Sequence, residues 1–176
     1  MMRRFNLPVL LASVVLLLTA QVAVAKTYTL SVPAGAFIPR SNDIQYLAQP
    51  FSIETTVDNG NPYYTAPLYL PHGAVLKDMT ISTYDDDRQE DLWVYLMRAY
   101  DGDYRILCQL HSTTVDIKAD TAETVAVPSG YATVDNENYA YLLYLYLPHS
   151  DSDELKLYRV IITYEASPCA VVVPMF

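Results

Sequence analysis

The run Tyr139-Ala140-Tyr141-Leu142-Leu143-Tyr144-Leu145-Tyr146-Leu147 constrains this chain more than any other segment. It has no charged residue, and in an extended chain Tyr139 and Tyr141 point to one side while Tyr144 and Tyr146 point to the other. A strand apolar on both faces needs cover on both faces. One face must meet the core of the domain. The other must meet something further: another layer, a partner chain or a ligand. Leu92, Val94 and Leu96, alternating with Trp93, Tyr95 and Met97, repeat the pattern.

Period-two alternation recurs along the chain, and no segment reads as a long amphipathic helix. Thr27 to Val32 is a short strand closed by Pro33 and Gly35. Phe51, Ile53, Thr55 and Val57 alternate with polar residues, and Asn59-Gly60 then turns the chain. Tyr63 to Leu70 is strand-like, but Pro67 lacks an amide donor, which predicts an edge or bulged strand. Val75, Met79 and Ile81 face one way. Asp101-Gly102 signals a hairpin into Tyr104–Leu110, where Tyr104, Ile106, Cys108 and Leu110 form the expected core side. Val125 and Val127 form a short strand, and a single helical turn is allowed near Asp116 to Glu123. Leu155 to Tyr164 closes the pattern, with Tyr158, Val160 and Ile162 on one face. About ten short strands separated by turn residues predict an all-β fold, an antiparallel β-sandwich.

The N-terminus reads as an export signal. Arg3 and Arg4 precede the apolar stretch Leu7–Leu18, and Ala23-Val24-Ala25 has the small-residue pattern of a cleavage site. The apolar stretch is shorter than the roughly 20 residues a spanning helix needs. The expected organisation is a signal peptide over 1–25, a β-sandwich domain over 26–164 and a C-terminal tail over 165–176 packing on the domain. The expected localisation is secreted, extracellular or periplasmic, with no membrane span after cleavage. A terminal Phe176 suggests an outer-membrane barrel, but Pro168, Pro174 and the absence of lipid-face alternation argue against it.

Loss of Arg3 and Arg4 takes the formal charge from −9 to −11. Such a chain repels phosphate backbones, so nucleic acid is not an expected partner. Two cysteines remain, and an oxidising compartment permits a Cys108–Cys169 disulfide; two separate thiols is the alternative.

No constellation for catalysis stands out. There is no nucleophile elbow, and His72, His111 and His149 have no zinc-type spacing. Leu68-Tyr69-Leu70-Pro71-His72 recurs as Leu145-Tyr146-Leu147-Pro148-His149, which reads as two strand ends stopped by proline. Asp85-Asp86-Asp87 with Glu90 and Asp91 is the densest carboxylate cluster. Asp85, Asp87 and Glu90 are the candidate calcium ligands, since calcium takes six to eight oxygens; a charged, solvated hairpin tip is the alternative. No other cofactor is implied. The sequence contains 16 tyrosines. They can fill the core, form an oligomer interface or stack on sugar rings, and Trp93, Tyr95, Tyr144 and Tyr146 are the candidate interface or ligand aromatics.

The segments Leu70-Pro71-His72-Gly73-Ala74, Thr80–Asp85, Leu92–Arg98, Tyr139–Leu147 and Leu157–Tyr164, closing in Ile162-Thr163-Tyr164, resemble in their order a diffuse group of secreted bacterial β-sandwich proteins with no assigned activity. The resemblance implies a jelly-roll-like fold and carries over no catalytic residue. The expected function is a secreted, non-enzymatic module acting in binding or assembly, as a homo-oligomer or with another extracellular protein. The alternative is a carbohydrate-binding module or glycan-active enzyme with a glycan partner.

Overall fold

The computed structural model describes residues 25–49, 51–57, 62–87, 89–113, 120–150 and 155–167. The expected signal peptide apart from Ala25, the expected Asn59-Gly60 turn, and the tail from Pro168 with Cys169 lie outside the described residues. The described chain forms eleven strands: β1 (Lys26–Pro33), β2 (Ile38–Pro39), β3 (Tyr46–Ala48), β4 (Ile53–Thr55), β5 (Tyr63–Leu68), β6 (Val75–Asp85), β7 (Trp93–Tyr100), β8 (Asp103–His111), β9 (Asp120–Ala126), β10 (Ala140–Tyr146) and β11 (Leu155–Ala166). β9 occupies Asp120–Glu123, the described half of the stretch that the sequence allows as a helical turn. All pairings between these strands are antiparallel.

Two sheets face each other as a jelly-roll-like sandwich. One follows the order β3-β4-β11-β6-β9, with β1 also paired to β11; the other follows β2-β5-β10-β7-β8. The long strand β11 carries β1 along Arg159–Ala166 and β4 at Leu157 on one side, and β6 on the other. The core between the sheets takes Met79, Ile81, Leu157, Val160 and Ile162 from the six-stranded sheet, and Val94, Leu96, Tyr141, Leu143 and Leu145 from the five-stranded sheet. Pro67 sits where the sequence allows it. The outer neighbour β2 pairs only with Tyr64 and Thr65, so the edge of β5 is open at Pro67 and its missing amide breaks no ladder bond there.

Three one-residue bulges shift the alternation read from the sequence, because a single inserted residue moves every following side chain to the other face. Lys77 is the extra residue on β6, so Leu76 rather than Val75 joins Met79 and Ile81 in the core. Tyr158 is the extra residue on β11, so Leu155 and Leu157 fill the core positions and Tyr158 leaves the row of Val160 and Ile162. Leu107 is the extra residue on β8. Cys108 keeps its inward position, but Tyr104 and Ile106, expected in the core, are 61% and 41% exposed on the outer face. Phe51, expected in phase with Ile53, is 81% exposed because it lies before β4 begins.

A polar clamp joins the sheets at one end. The Thr55 hydroxyl on β4 donates to the Leu147 carbonyl just past β10 and lies 2.9 Å from the Tyr64 hydroxyl on β5. All three residues are buried. At the other end the Arg98 guanidinium lies 4.2 Å from the Tyr139 ring centroid and 5.3 Å from that of Tyr131. Thr55→Val strands both the Leu147 carbonyl and the Tyr64 hydroxyl, whereas Tyr64→Phe removes a single donor. In urea unfolding, Thr55→Val is expected to cost about 1–3 kcal/mol and Tyr64→Phe about 1 kcal/mol. Equal losses, or the reverse order, would show that the clamp does not join the sheets in this way.

Candidate functional site: an aromatic cleft on the five-stranded sheet

The two outer faces of the sandwich differ in chemistry. The six-stranded sheet presents threonines, serines and ion pairs to solvent: Thr80 bonds Thr124 at 2.8 Å, and Lys77 pairs with Glu165 at 2.8 Å. The five-stranded sheet presents rings and aliphatic chains. Its central strands, β10 and β7, are the two that read as apolar on both faces, and they are direct neighbours.

Register places the outward side chains in rows across the strands. Tyr63, Tyr146, Trp93 and His111 form the first row; Thr65, Tyr144, Tyr95 and Gln109 the second; Pro67, Leu142, Met97 and Ile106 the third. Ala140, Ala99 and Tyr104 form the fourth. The candidate aromatics Trp93, Tyr95, Tyr144 and Tyr146 are therefore brought together on one face. Their rings pack on each other: Tyr63 stacks on Tyr144 at 5.0 Å, Tyr63 meets Tyr146 at 5.2 Å, and Trp93 lies 6.3 Å from Tyr95 and 4.6 Å from His111. Tyr95 meets Tyr144 edge-on at 6.3 Å. Offset and edge-on ring pairs at these separations stabilise one another.

A cleft of about 820 Å³ lies along the third and fourth rows. Leu142, Met97, Ala99 and Ala140 make its floor. Tyr63, Tyr95 and Tyr144 rise on one side, beside Arg40; the hairpin from Tyr100 to Tyr104 rises on the other. Arg40 donates from Nη1 to the Tyr144 hydroxyl, and its guanidinium carbon sits 5.4 Å from that ring's centroid. The phenol of Tyr95 is held above its ordinary range by burial, and by the neighbouring phenols of Tyr63 and Tyr144. The Tyr95 hydroxyl on this wall is thus neutral at physiological pH.

The hairpin wall follows from its sequence. Asp101 has φ of 43° and Gly102 of 85°, the pair of positive φ values that a two-residue turn between twisted strands requires. Asp103 accepts from the Tyr100 hydroxyl at 3.1 Å and from the Tyr104 amide at 2.8 Å. The bulge at Leu107 completes the wall by turning Tyr104 and Ile106 outward. Sequence reading missed Arg40, Tyr63, Tyr104 and Ile106. The adjacent buried pair Leu107-Cys108, two core residues in succession, is the signal for the bulge.

The acidic cluster lies at the end of the sandwich away from the hairpin. Asp85 is 2% exposed, and one of its oxygens accepts from the Asp87 amide at 3.0 Å. Asp87 accepts from the amides of Gln89 at 2.7 Å and Glu90 at 3.2 Å. Glu90 itself is exposed. The buried aspartates thus brace the loop backbone, and among the described residues no three carboxylate, histidine or cysteine groups are grouped to hold a metal ion. His72 bonds the Asn136 amide at the hairpin end, while His149 bonds the Thr55 carbonyl at the opposite end, so the repeated pentapeptides do not meet. Burial pushes the Cys108 thiol up to about 12, which makes it inert as a nucleophile. Its expected partner Cys169 lies outside the described residues.

Burial raises the Asp85 carboxyl above its ordinary value of 3.8, and the Asp91 and Asp87 charges add to the rise against the Ser112 hydroxyl and the Asp87 amide. Asp87 moves the other way: burial is outweighed by the Gln89 and Glu90 amides and Ser150. A raised folded pKa means that ionised Asp85 opposes folding above that pKa. This handicap is lifted as pH falls through the folded value toward the unfolded one. Asp85→Asn keeps the acceptor for the Asp87 amide and removes the charge. It is expected to be more stable than wild type at pH 7, with an advantage that shrinks as pH falls toward 4, read from urea midpoints across the range. An advantage that grows on acidification would contradict the raised pKa.

No protein-family model matches the sequence, and a search of curated proteins finds no match. Among solved structures, the fold is similar to the C-terminal family 6 carbohydrate-binding module of LamC, a marine laminarinase from Zobellia galactanivorans. That match has a TM-score of 0.52 and 15% identity, and covers 77% of this chain and 99% of that one. A family 29 carbohydrate-binding module from Piromyces equi aligns with a TM-score of 0.48 and 13% identity over 78% of this chain and 91% of that one. At these identities the likeness concerns the fold alone, a jelly-roll-like β-sandwich.

Proposed function

We propose that this chain is an exported, non-catalytic module that binds a glycan in the cleft of the five-stranded sheet. The observation that carries the reading is the solvent-facing aromatic and aliphatic face formed by β10 and β7, walled on both sides. A monomeric soluble domain rarely exposes a contiguous apolar surface of this kind without using it. The face of a sugar ring is lined with weakly positive C–H groups, which suits the negative face of a tyrosine or tryptophan ring. Its hydroxyls need donors and acceptors at the rim, which Thr65, the phenols and Arg40 supply. A shallow, pre-formed cleft with a few polar groups at its edges is what recognition of such an amphipathic ligand asks for.

Binding fits the site better than hydrolysis. A glycosidase sets two carboxyl groups on opposite sides of the scissile bond. The carboxylates lining this cleft, Asp101 and Asp103, stand on the same hairpin, facing Arg40 and phenols. The fold-level likeness to carbohydrate-binding modules supports the same direction, and the N-terminal leader supports export. The expected partner is a glycan outside the cytoplasm, with self-association through the tyrosine face as the competing use of the same surface.

A glycan array followed by titration calorimetry tests the reading. Tyr95→Ala and Tyr144→Ala are each expected to weaken the array hit about tenfold, the effect of losing about 1.4 kcal/mol, while Thr124→Ala on the opposite sheet leaves it unchanged. Trp93 fluorescence should shift on saturation. A chain that binds no glycan and sediments as a dimer dispersed by Tyr144→Ala would replace this reading with assembly.

A further inference from the structure

The charges around the cleft discriminate among glycans, and this inference rests on the glycan-binding reading. Among the described lining residues there is one cation, Arg40, and it is already engaged with the hydroxyl and ring of Tyr144. The opposite wall carries two carboxylates, Asp101 and Asp103, two residues apart on a tight turn. Both are exposed. The Asp103 charge is felt locally: it holds the Tyr100 phenol above its ordinary range, first through their hydrogen bond and then through its field. The turn has positive φ at both central residues, and the Asp103 carboxylate is tied to Tyr100 and Tyr104. The Asp103 charge is therefore held at the lip of the cleft, with the exposed Asp101 beside it. Behind it stands a chain with formal charge −9 over the full sequence, so the long-range field has the same sign.

We propose that the cleft selects glycans by charge: it admits neutral sugars, prefers sugars bearing a free ammonium group near the hairpin, and rejects uronic acids and sulfated sugars. An ammonium group set against the hairpin carboxylates gains a charge-assisted hydrogen bond. A carboxylate or sulfate in the same place meets like charge, and Arg40 can answer it only by giving up Tyr144. Neutral chains are held by the rings and by the rim groups Thr65, the phenols and Arg40, and gain nothing from the hairpin charge.

The experiment uses the mature chain on an array that carries, for each of several linkages, a neutral glycan, its amino-sugar counterpart and its uronate or sulfated counterpart. Hits are then titrated in solution. Binding confined to neutral and amino sugars, with the amino sugar the tighter of each matched pair, is the expected result. Asp101→Asn is the informative variant, because asparagine accepts positive φ as readily as aspartate and preserves the turn. It is expected to weaken an amino-sugar ligand about fivefold, the size of a single near-surface charge contact, and to leave the matched neutral ligand unchanged. Raising the salt to about 1 M should shrink the amino-sugar preference in wild type, since the screening length drops to about 3 Å. Uronate or sulfated glycans bound as tightly as their neutral counterparts would overturn the charge selectivity and leave the glycan reading standing. An Asp101→Asn variant that weakens neutral and amino sugars alike would also overturn it, by showing a structural role for the hairpin. Absence of any glycan hit would overturn both.

Discussion

The pairing of β10 with β7 is the constraint from which the rest of the structure follows. Each strand is apolar on both faces, and their register sets Leu143 beside Leu96 and Leu145 beside Val94 on the inside, and Tyr144 beside Tyr95 and Tyr146 beside Trp93 on the outside. The inner rows are fully covered by the six-stranded sheet. Among the described residues the outer rows have no such layer, and their rings remain half-buried by packing on one another. The hydrophobic effect therefore closes the sandwich on one side of this sheet and leaves a reservoir of apolar surface on the other. The six-stranded sheet shows the ordinary solution, with hydrophobic side chains in and threonines and ion pairs out.

Bulges convert this two-faced sheet into a site. The extra residue Leu107 adds one position to β8, and the strand's first half turns over: Ile106 and Tyr104 leave the core side and stand at the cleft. The inserted residue itself is kept in the core, with Leu107 and Cys108 both buried. The same device on β6 and β11 adjusts which residues face inward without touching the cleft. Bulges are placed where a sheet must bend or a side chain must be re-aimed, and the one on β8 does so at the wall opposite the tyrosines. The wall it builds is continuous with the Asp101-Gly102 turn, whose backbone geometry leaves the Asp101 carboxylate exposed at the rim.

Charge is handled differently at the two ends of the sandwich. At the hairpin end the aspartates are exposed, and Arg98 and Arg105 lie over the Tyr131 ring. At the far end of the sandwich Asp85, the last residue of β6 in the six-stranded sheet, is buried and holds the backbone of the loop that follows, at a cost in its own ionisation. A carboxylate kept in such a place organises a turn through an acceptor oxygen, here Asp85 Oδ1 on the Asp87 amide.

The sequence by itself determined the class of fold, because period-two alternation and turn residues are local properties. Asp101-Gly102 dictates its own turn, Pro67 its own open edge, and Tyr139–Leu147 its own two-sided burial. It also determined that tyrosines would stand outside the core, since Tyr144 and Tyr146 oppose Tyr141 in any extended chain. What only the tertiary structure decided was adjacency and phase. No local rule says that β7 lies beside β10, which merges two separate apolar outer faces into one, or that Tyr63 and Arg40 arrive from β5 and the segment after β2 to wall it. Nor does alternation reveal where a bulge resets the count, so Tyr104, Ile106, Val75 and Tyr158 were assigned to the wrong face. Strand order and bulge position are settled by which pairing of whole sheets buries the most apolar surface with its backbone bonded, and that is a property of the assembled chain rather than of any segment in it.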